Sequence, residues 1–268
     1  MSLWTDIARD GLGDMGAAML VRLGPVRGSA PRAQGTVMLV TQTRQYGTIG
    51  GGALEYRAAA RARALLDDGA DAVEETMILG PDLGQCCGGQ VTLIFERLDG
   101  GPHDVAARLK ALGPEPAPLM LFGAGHVGRA LVRVLDGLPF AISWVDARLE
   151  SFAHAVPAGV RALRVDDPVA QINSAPANSI FVVMTHDHAL DYQLVRAILQ
   201  RGDFAFAGLI GSRTKRARFI ARLRKEGMDG EMLARLCCPV GLPGVPGKAP
   251  GAIAIAIAAQ LLTLIETY

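Results

Sequence analysis

The amino-acid sequence predicts an α/β protein in two parts, a small N-terminal α+β domain and a larger domain built on a doubly wound parallel sheet. After residue 118, short, continuously apolar segments alternate with helical patterns, which is typical of a parallel sheet covered on both faces. Before residue 98, strand patterns surround one helix and several glycine-rich loops. The stretch between them has glycines at one end and prolines at the other, which indicates a connector.

The first domain is expected over residues 1–98, with a linker over 99–117. One helix is predicted at 53–69, because Leu54, Ala58, Leu65 and Leu66 recur at helical spacing. Its predicted strands are 35–40, 45–50, 72–79 and 90–98. Its glycine-rich loops are 28–35, 47–52 and 80–89.

The second domain is expected over residues 118–268. The apolar stretch 252–265 is shorter than the roughly 20 residues that cross a bilayer, and Gln260 interrupts it, so it predicts a buried helix. The other predicted helices are 126–137, 189–202 and a basic helix that begins near Ser212. The predicted strands are 118–122, 140–145, 160–165, 178–184 and 204–211.

Composition excludes several classes of function. The chain has 27 Lys and Arg against 26 Asp and Glu, so its net charge of +1 gives no electrostatic reason to expect nucleic acid or an anionic membrane as a partner. Four cysteines in 268 residues do not form a disulfide scaffold. The first residues show no apolar signal segment, so we expect a cytoplasmic protein with reduced thiols.

The clearest motif is GAGHVG at residues 123–128, which follows an apolar strand and opens a helix. Gly123, Gly125 and Gly128 fit the G-x-G-x-x-G pattern of a Rossmann domain, in which they permit a tight turn, phosphate approach and close packing, respectively. The N–H groups and the positive dipole end of the helix then favour a phosphate. This context predicts a phosphate-bearing ligand, whose identity stays open.

Asp146 ends the next strand, about twenty residues after the motif, where a dinucleotide-binding fold has its ribose acceptor. That position favours NAD over NADP, although Arg148 beside it weakens the preference.

Histidines cluster near the same predicted edge of the sheet. His126 occupies a variable position of the glycine motif, and His186 and His188 follow the strand at 178–184 together with Asp187 and Asp191. The ligand site of an open parallel sheet lies beyond the carboxyl ends of its strands, so these side chains are expected near the glycine loop. They could bind a metal, orient a ligand, or cap the next helix through Asp187.

Further basic residues lie near predicted helix starts. Ser212 is a candidate N-cap, and Arg213, Lys215 and Arg216 could hold an anion there or form a solvated basic face. Lys248 lies in a proline-rich loop just before the C-terminal helix and could meet an anionic ligand.

The loops of the first domain also carry candidates. Arg32 lies in the first loop, and Gly51 belongs to three consecutive glycines at a helix start, where backbone amides could bind an anion and Glu55 could cap or bind. Cys86 and Cys87 are adjacent in the third loop. Thiolates suit a soft metal, but the absence of a C-x-x-C pair argues against tetrahedral zinc, and no Cys–His catalytic signature accompanies them. Together the loops predict a domain that closes on a ligand.

As a set, these motifs resemble the sequence blocks of the xanthine dehydrogenase accessory protein (XdhC) family, in the same order and over nearly the whole chain. The blocks are GSAPRAQG, GTIGGGALE, GPDLGQCCGG, FGAGHVGRAL, VDAR, THDHALD, GLIGSRTK and CPVGLPGVPGKAPGAIAIAIAAQLL. The resemblance implies a small N-terminal domain and a C-terminal Rossmann domain that bind the molybdenum cofactor, a molybdenum dithiolene of a pyranopterin phosphate. The family holds this cargo during sulfuration and delivers it to apo-xanthine dehydrogenase, on the molybdenum subunit, with a cysteine desulfurase as the implied sulfur donor.

The resemblance implies that the protein is a carrier rather than a catalyst, and we expect a homodimer. It also suggests roles for individual residues. The pterin phosphate would suit the glycine motif with Arg148, Arg213 or Lys248 nearby, and the molybdenum end would suit Cys86, Cys87 or the histidines. Two alternatives stay open: an NAD(P)-dependent oxidoreductase, and a transition-metal metallochaperone with Cys and His ligands.

Overall fold

The structure is a computed structural model that describes residues 17–79, 89–99, 105, 108, 116–148, 150–152, 156, 157 and 159–265. The chain divides into two compact units between Glu115 and Pro116. Cys86, Cys87 and most of the expected linker lie outside the described residues.

The N-terminal unit is a five-stranded antiparallel sheet, in the order β3-β2-β1-β5-β4, with one long helix on one face. Its helix α1 buries Leu54, Ala58, Leu65 and Leu66 against the sheet, as the spacing predicts. The elements are β1 Ala18–Arg27, β2 Val37–Val40, β3 Gln45–Gly47, α1 Gly52–Asp67, β4 Ala72–Ile78 and β5 Gln90–Leu98.

Strand β1 is the central strand of this sheet, and the sequence prediction missed it. Its residues Met19 and Val21 pack under α1, whereas Leu20 packs on the opposite face with Leu39 and Tyr46. A strand that is buried on both faces has an uninterrupted apolar run instead of an alternating pattern. The run AMLV at residues 18–21 is therefore the signal that could have identified β1.

The C-terminal unit is a six-stranded parallel sheet in the order β11-β10-β9-β6-β7-β8. Read outward from β6 on each side, this is the strand order of a Rossmann fold, with the switch point between β6 and β9. It confirms the predicted fold class. The strands are β6 Ala117–Phe122, β7 Phe140–Asp146, β8 Val160–Arg164, β9 Ile180–Val183, β10 Phe206–Leu209 and β11 Leu236–Cys237. The helices are α2 His126–Leu135, α3 Ala170–Ser174, α4 His188–Arg201, α5 Arg213–Lys225, α6 Gly230–Ala234 and α7 Pro250–Leu262.

Helices cover both faces of this sheet, which explains why a central strand such as β9 is apolar throughout. In β9, Phe181 and Val183 pack with α4 and α5, whereas Ile180 and Val182 pack with α2 and α7. The helix predicted at 252–265 is α7, and none of the described helices is long and apolar enough to cross a membrane. Gln260 interrupts its apolar run because its Oε1 accepts a hydrogen bond from the Gly241 N–H at 2.6 Å, which fixes the loop before the helix.

Gly128→Ala is expected to lower the free energy of unfolding of the C-terminal unit by about 2 kcal/mol or more, since overpacking forces the backbone to shift. A Cβ at this position would lie 2.2 Å from the Gly123 carbonyl oxygen. The matched control is Gly251→Ala in α7, where a Cβ would meet no heavy atom within 4 Å, and we expect a neutral or slightly stabilising effect there. Urea unfolding of both variants checks this, and equal stabilities would contradict the close approach of α2 to the loop.

Candidate functional site

The candidate site lies at the carboxyl ends of β6 and β9, where the two strands lead to opposite sides of the sheet. Gly123 follows β6 with a φ of 109°, a conformation that favours glycine. A Cβ on Gly123 would lie 2.4 Å from the Met184 carbonyl oxygen, so the two loops approach each other too closely for any side chain. The indole Nε1 of Trp144 also donates to the Gly123 carbonyl at 3.1 Å, a contact between β7 and the loop that sequence reasoning missed.

Gly125 differs from the other two glycines of the motif. Its φ of −77° is one that any residue adopts, and a Cβ there would meet no heavy atom within 4 Å. It caps α2 without a side chain, so open space lies in front of the first turn of the helix. Backbone N–H groups at such a position bind phosphate well. Among the described residues, the position of a Gly125 side chain is therefore open, and no side chain of the N-cap residue caps the first turn of α2.

Asp146 is buried, with 5% of its side chain exposed, and its carboxylate holds the glycine loop to the end of β7. Its Oδ2 accepts the Ala124 N–H at 2.7 Å and Arg148 Nη2 at 2.8 Å. Its Oδ1 accepts the Arg148 N–H at 2.9 Å and Arg148 Nε at 3.0 Å. Burial opposes ionisation, but the hydrogen bonds from Arg148 and Ala124 outweigh it and hold the pKa of Asp146 well below its ordinary value.

Three exposed side chains start the helices that follow neighbouring strands. His126 is the first residue of α2, which follows β6. His188 is the first residue of α4, which follows β9, and Arg213 is the first residue of α5, which follows β10. Since β10, β9 and β6 are adjacent and parallel, these helix starts lie along one edge of the sheet. His186, also exposed, precedes α4 on the same loop. The edge therefore combines helix N-termini with side chains that can donate to an anion.

The acids near these histidines have other roles. Asp187 is the N-cap of α4 and accepts the Ala189 N–H at 2.7 Å, which confirms the capping interpretation. Asp191 is buried and accepts the Thr185 N–H at 3.1 Å and Thr185 Oγ1 at 2.7 Å. Among the described residues, no three His, Cys, Asp or Glu side chains are arranged to hold a metal ion.

Lys215 forms an ion pair with Asp191 and also donates to the Ile210 carbonyl at 3.1 Å. Only 11% of its side chain is exposed, so it is neutralised within the fold instead of being available to a ligand anion. This pairing was not predicted, because the two residues belong to different helices.

The two other predicted residues of this unit, Ser212 and Lys248, lie at its surface. Ser212 is the N-cap of α5 and accepts the Lys215 N–H at 3.1 Å, as predicted. Lys248 is exposed in the loop before α7. Cys238 is buried, and burial raises the pKa of its thiol, so it is a packed and unreactive cysteine.

In the N-terminal unit, the glycine-rich loops converge. A Cβ on Gly50 would lie 2.5 Å from Pro31 Cγ, so loops 28–35 and 47–52 are in contact. A Cβ on Gly89 would lie 2.2 Å from the Ser29 carbonyl oxygen, so the residue that follows 80–88 meets the first loop. Arg32 is exposed on that loop.

Glu55 organises the second of these loops. Its carboxylate accepts the Ile49 N–H at 3.1 Å, the Gly51 N–H at 3.0 Å, Gln45 Nε2 at 2.7 Å and the Thr48 hydroxyl. Burial raises its pKa, but the hydrogen bonds, that from Thr48 first, outweigh burial and lower the pKa overall. Glu55 therefore caps the loop, and the Gly51 N–H is already used within the protein.

Comparisons with known proteins agree with this division of the chain. A family model described as the XdhC Rossmann domain matches residues 119–261, and a model of the XdhC and CoxI family matches residues 13–76. The uncharacterized protein YqeB of Escherichia coli (strain K12) is 28% identical over 255 residues, which are 88% of this chain and 41% of that protein. The chain thus spans less than half the length of this relative.

A solved structure shares the fold. The crystal structure described as a xanthine dehydrogenase from Bacillus halodurans aligns with a TM-score of 0.79 at 19% identity, over 98% of this chain and 96% of that chain.

Asp146→Asn is expected to lower the free energy of unfolding by about 2 kcal/mol at neutral pH, because an amide replaces a charged acceptor. Folding lowers the pKa of Asp146, so its stabilisation is complete above the pKa of an unfolded aspartate and is lost as the pH falls through the folded value. The difference between wild type and variant should therefore shrink below about pH 4.

Urea unfolding at several pH values measures this difference through the fluorescence of Trp144, in a Trp4→Phe background that leaves one tryptophan. Exposed Asp166→Asn is the control and should change stability by less than about 0.5 kcal/mol. A difference that is the same at every pH would show that the Asp146 carboxylate does not stabilise the loop.

Proposed function

The chain belongs to the XdhC family, and from this premise we propose that it binds the molybdenum cofactor, holds it during sulfuration and delivers it to apo-xanthine dehydrogenase. Membership of the family implies a role in the maturation of xanthine dehydrogenase. In this proposal the molybdenum pyranopterin phosphate is cargo, and the protein is a carrier instead of a catalyst.

The observation that carries the proposal is the open space at Gly125. A cofactor phosphate needs backbone donors that it can approach closely, and Gly125 leaves the first turn of α2 uncovered. Gly123 and Gly128 are needed for packing, but among the described residues nothing fills the space where a Gly125 side chain would be. A ligand phosphate is the group that fits this donor set.

Neighbouring side chains support the same ligand chemistry. His126, His188 and Arg213 begin the helices that follow three adjacent strands, and all three side chains are exposed. They can donate hydrogen bonds to the phosphate and to the acceptor atoms of a pterin. We propose Arg148, His186 and Lys248 as further contacts on the exposed surface of this unit.

For the molybdenum end we propose Cys86 and Cys87, since thiolates are soft ligands that suit a molybdenum centre with sulfur ligands. We propose Arg32, Gly51 and Glu55 as further contacts of this unit with the cofactor. Arg32 lies on loop 28–35, whose Ser29 is close to Gly89, the residue that follows the cysteine segment.

The proposed partners follow from the cargo. A cysteine desulfurase supplies the sulfur, and the molybdenum subunit of apo-xanthine dehydrogenase receives the cofactor. We propose that the carrier acts in the cytoplasm as a homodimer.

The direct test is protein purified without oxygen from cells that make the cofactor. Molybdenum is quantified by mass spectrometry, and pterin by fluorescence after oxidation, on the same sample. We expect near-equal amounts of both. Metal without pterin would favour a metallochaperone, and bound NAD(H) without either would favour an oxidoreductase.

Gly125→Ala is expected to reduce retained cofactor about tenfold and to lower stability by less than about 1 kcal/mol, because a methyl group would fill the phosphate space without meeting any atom of the described residues. Gly230→Ala is the matched control, since it also lies at a helix start with nothing within 4 Å and should retain cofactor normally. Cofactor content and thermal unfolding are measured on both proteins. Full retention by Gly125→Ala would remove the glycine loop from the site.

Cys86→Ala and Cys87→Ala test the molybdenum end. Loss of a soft ligand should lower retained molybdenum more than Cys237→Ala does, because Cys237 already accepts a hydrogen bond from Gln260 at 3.3 Å within the fold. Molybdenum and pterin are again measured together. Unchanged retention in both variants would rule out a thiolate contact with the metal.

A further inference from the structure

We propose that Arg148 is a specificity residue that excludes NAD(H)-type ligands from the crevice by occupying the carboxylate that would otherwise bind their ribose. This inference deepens the proposed function. It rests on that function only in one respect, namely that a ligand binds in the crevice at the carboxyl ends of β6 and β9. It concerns the ion pair at the end of β7, which involves Asp146 and Arg148.

In a dinucleotide-binding Rossmann fold, the acid at this position accepts hydrogen bonds from ribose hydroxyls. Asp146 occupies that position at the end of β7, in a sheet with the Rossmann strand order. A free carboxylate there would favour NAD(H). Whether the crevice accepts such a ligand therefore depends on what Asp146 already binds.

Both oxygens of Asp146 are already satisfied. Arg148 donates from Nε to Oδ1 at 3.0 Å and from Nη2 to Oδ2 at 2.8 Å, which is the bidentate geometry that makes such pairs strong. The backbone N–H groups of Arg148 and Ala124 donate to the same two oxygens at 2.9 and 2.7 Å. Only 5% of the Asp146 side chain is exposed, so a ribose cannot reach it without displacing Arg148.

Displacement of Arg148 would be costly. It would leave a buried carboxylate without its charged partner, and the ribose hydroxyls that replace the guanidinium are neutral donors. The low pKa of Asp146 reflects the same contacts. The crevice is therefore biased against a ligand that needs this carboxylate.

The pair also reverses the hydrogen-bonding character of this edge. The Arg148 side chain is 43% exposed, and among the described residues its guanidinium bonds only to Asp146. A guanidinium has only donors, so the surface offered to a ligand carries N–H groups instead of carboxylate oxygens. Such an edge suits a phosphate or a carbonyl group, whereas a ribose diol would have to rely on its weaker role as an acceptor.

The pair lies within the three residues DAR at positions 146–148, and a substitution of Arg148 alone tests what its side chain does to Asp146. Removal of the Arg148 side chain leaves Oδ1 with one backbone donor and opens it to a ligand, while Oδ2 keeps its bond to Ala124. Removal of a positive charge would by itself weaken binding of the anionic NADH. A gain of NADH affinity in this variant would therefore be specific evidence for a freed ribose acceptor.

The experiment titrates NADH into wild-type protein and into Arg148→Ala, with binding followed by calorimetry near neutral pH. We expect no saturable binding by wild type up to millimolar NADH, and binding by Arg148→Ala that is tighter by about tenfold or more. Arg148→Met retains the length of the side chain and gives the same test if truncation prevents folding. Far-UV circular dichroism and Trp144 fluorescence verify that each variant is folded.

Two controls assign the gain to Asp146. The double variant Arg148→Ala with Asp146→Asn should lose the gained affinity, because the freed carboxylate is absent. Arg161→Ala removes an exposed arginine from β8 and should gain nothing.

Saturable binding of NADH by wild type, or no gain in a folded Arg148 variant, would overturn the proposal. A gain that persists in the double variant would also overturn it. This test does not measure cofactor retention. A protein that retains no molybdenum would refute the proposed function, whereas the exclusion of ribose is tested separately by the affinity for NADH.

Discussion

Carboxylates that accept hydrogen bonds from loop backbones hold the candidate binding surfaces of this protein in place. Asp146 ties the glycine loop of the C-terminal unit to β7 through Ala124, and Glu55 ties the three-glycine loop of the N-terminal unit through Ile49 and Gly51. Glycine-rich loops lose much conformational entropy on folding, so they need such fixed acceptors to keep one shape. In both units hydrogen bonding outweighs the cost of burial, since the pKa of each acid is lowered.

The switch point of the parallel sheet concentrates donors at one edge. Its strand order brings the starts of α2, α4 and α5 to the same edge of the sheet, and each begins with an exposed side chain that can donate to an anion. The buried pair of Asp191 and Lys215 lies behind this edge and fixes the loop at Thr185. A buried pair of this kind adds little net stability compared with apolar packing, but loss of either partner would leave an uncompensated charge. Its role is to hold the α4 and α5 helix starts together.

The three glycines of the motif have different physical roles, although the pattern presents them as one signature. Gly123 and Gly128 are required because backbone atoms lie where their side chains would be. Gly125 is required by nothing within the described protein, and this makes it the position where a ligand accounts for the residue. Ligand recognition and fold stability are therefore separable within six residues of sequence. The same separation applies at the position of the ribose acceptor. Asp146 stabilises the glycine loop, whereas Arg148 covers the Asp146 carboxylate.

Features that depend on local spacing could be predicted from the amino-acid sequence. Residue patterns identified α1, α2, α4, α5 and α7 and nine of the eleven described strands, but not the short helices α3 and α6. The glycine pattern identified the turn before α2, and Ser212 and Asp187 were recognisable as caps because their partners lie two or three residues away. Strand β1 was missed, since burial on both faces removes the alternation that marks a strand, and β11 has only two residues. Which charged groups remain available to a ligand depends instead on contacts between residues that are far apart in the sequence. Lys215 is neutralised by Asp191, 24 positions away, and Asp146 is saturated partly by Ala124, 22 positions away. Those contacts exist because the strand order brings separate loops together, and the strand order cannot be predicted from local sequence patterns.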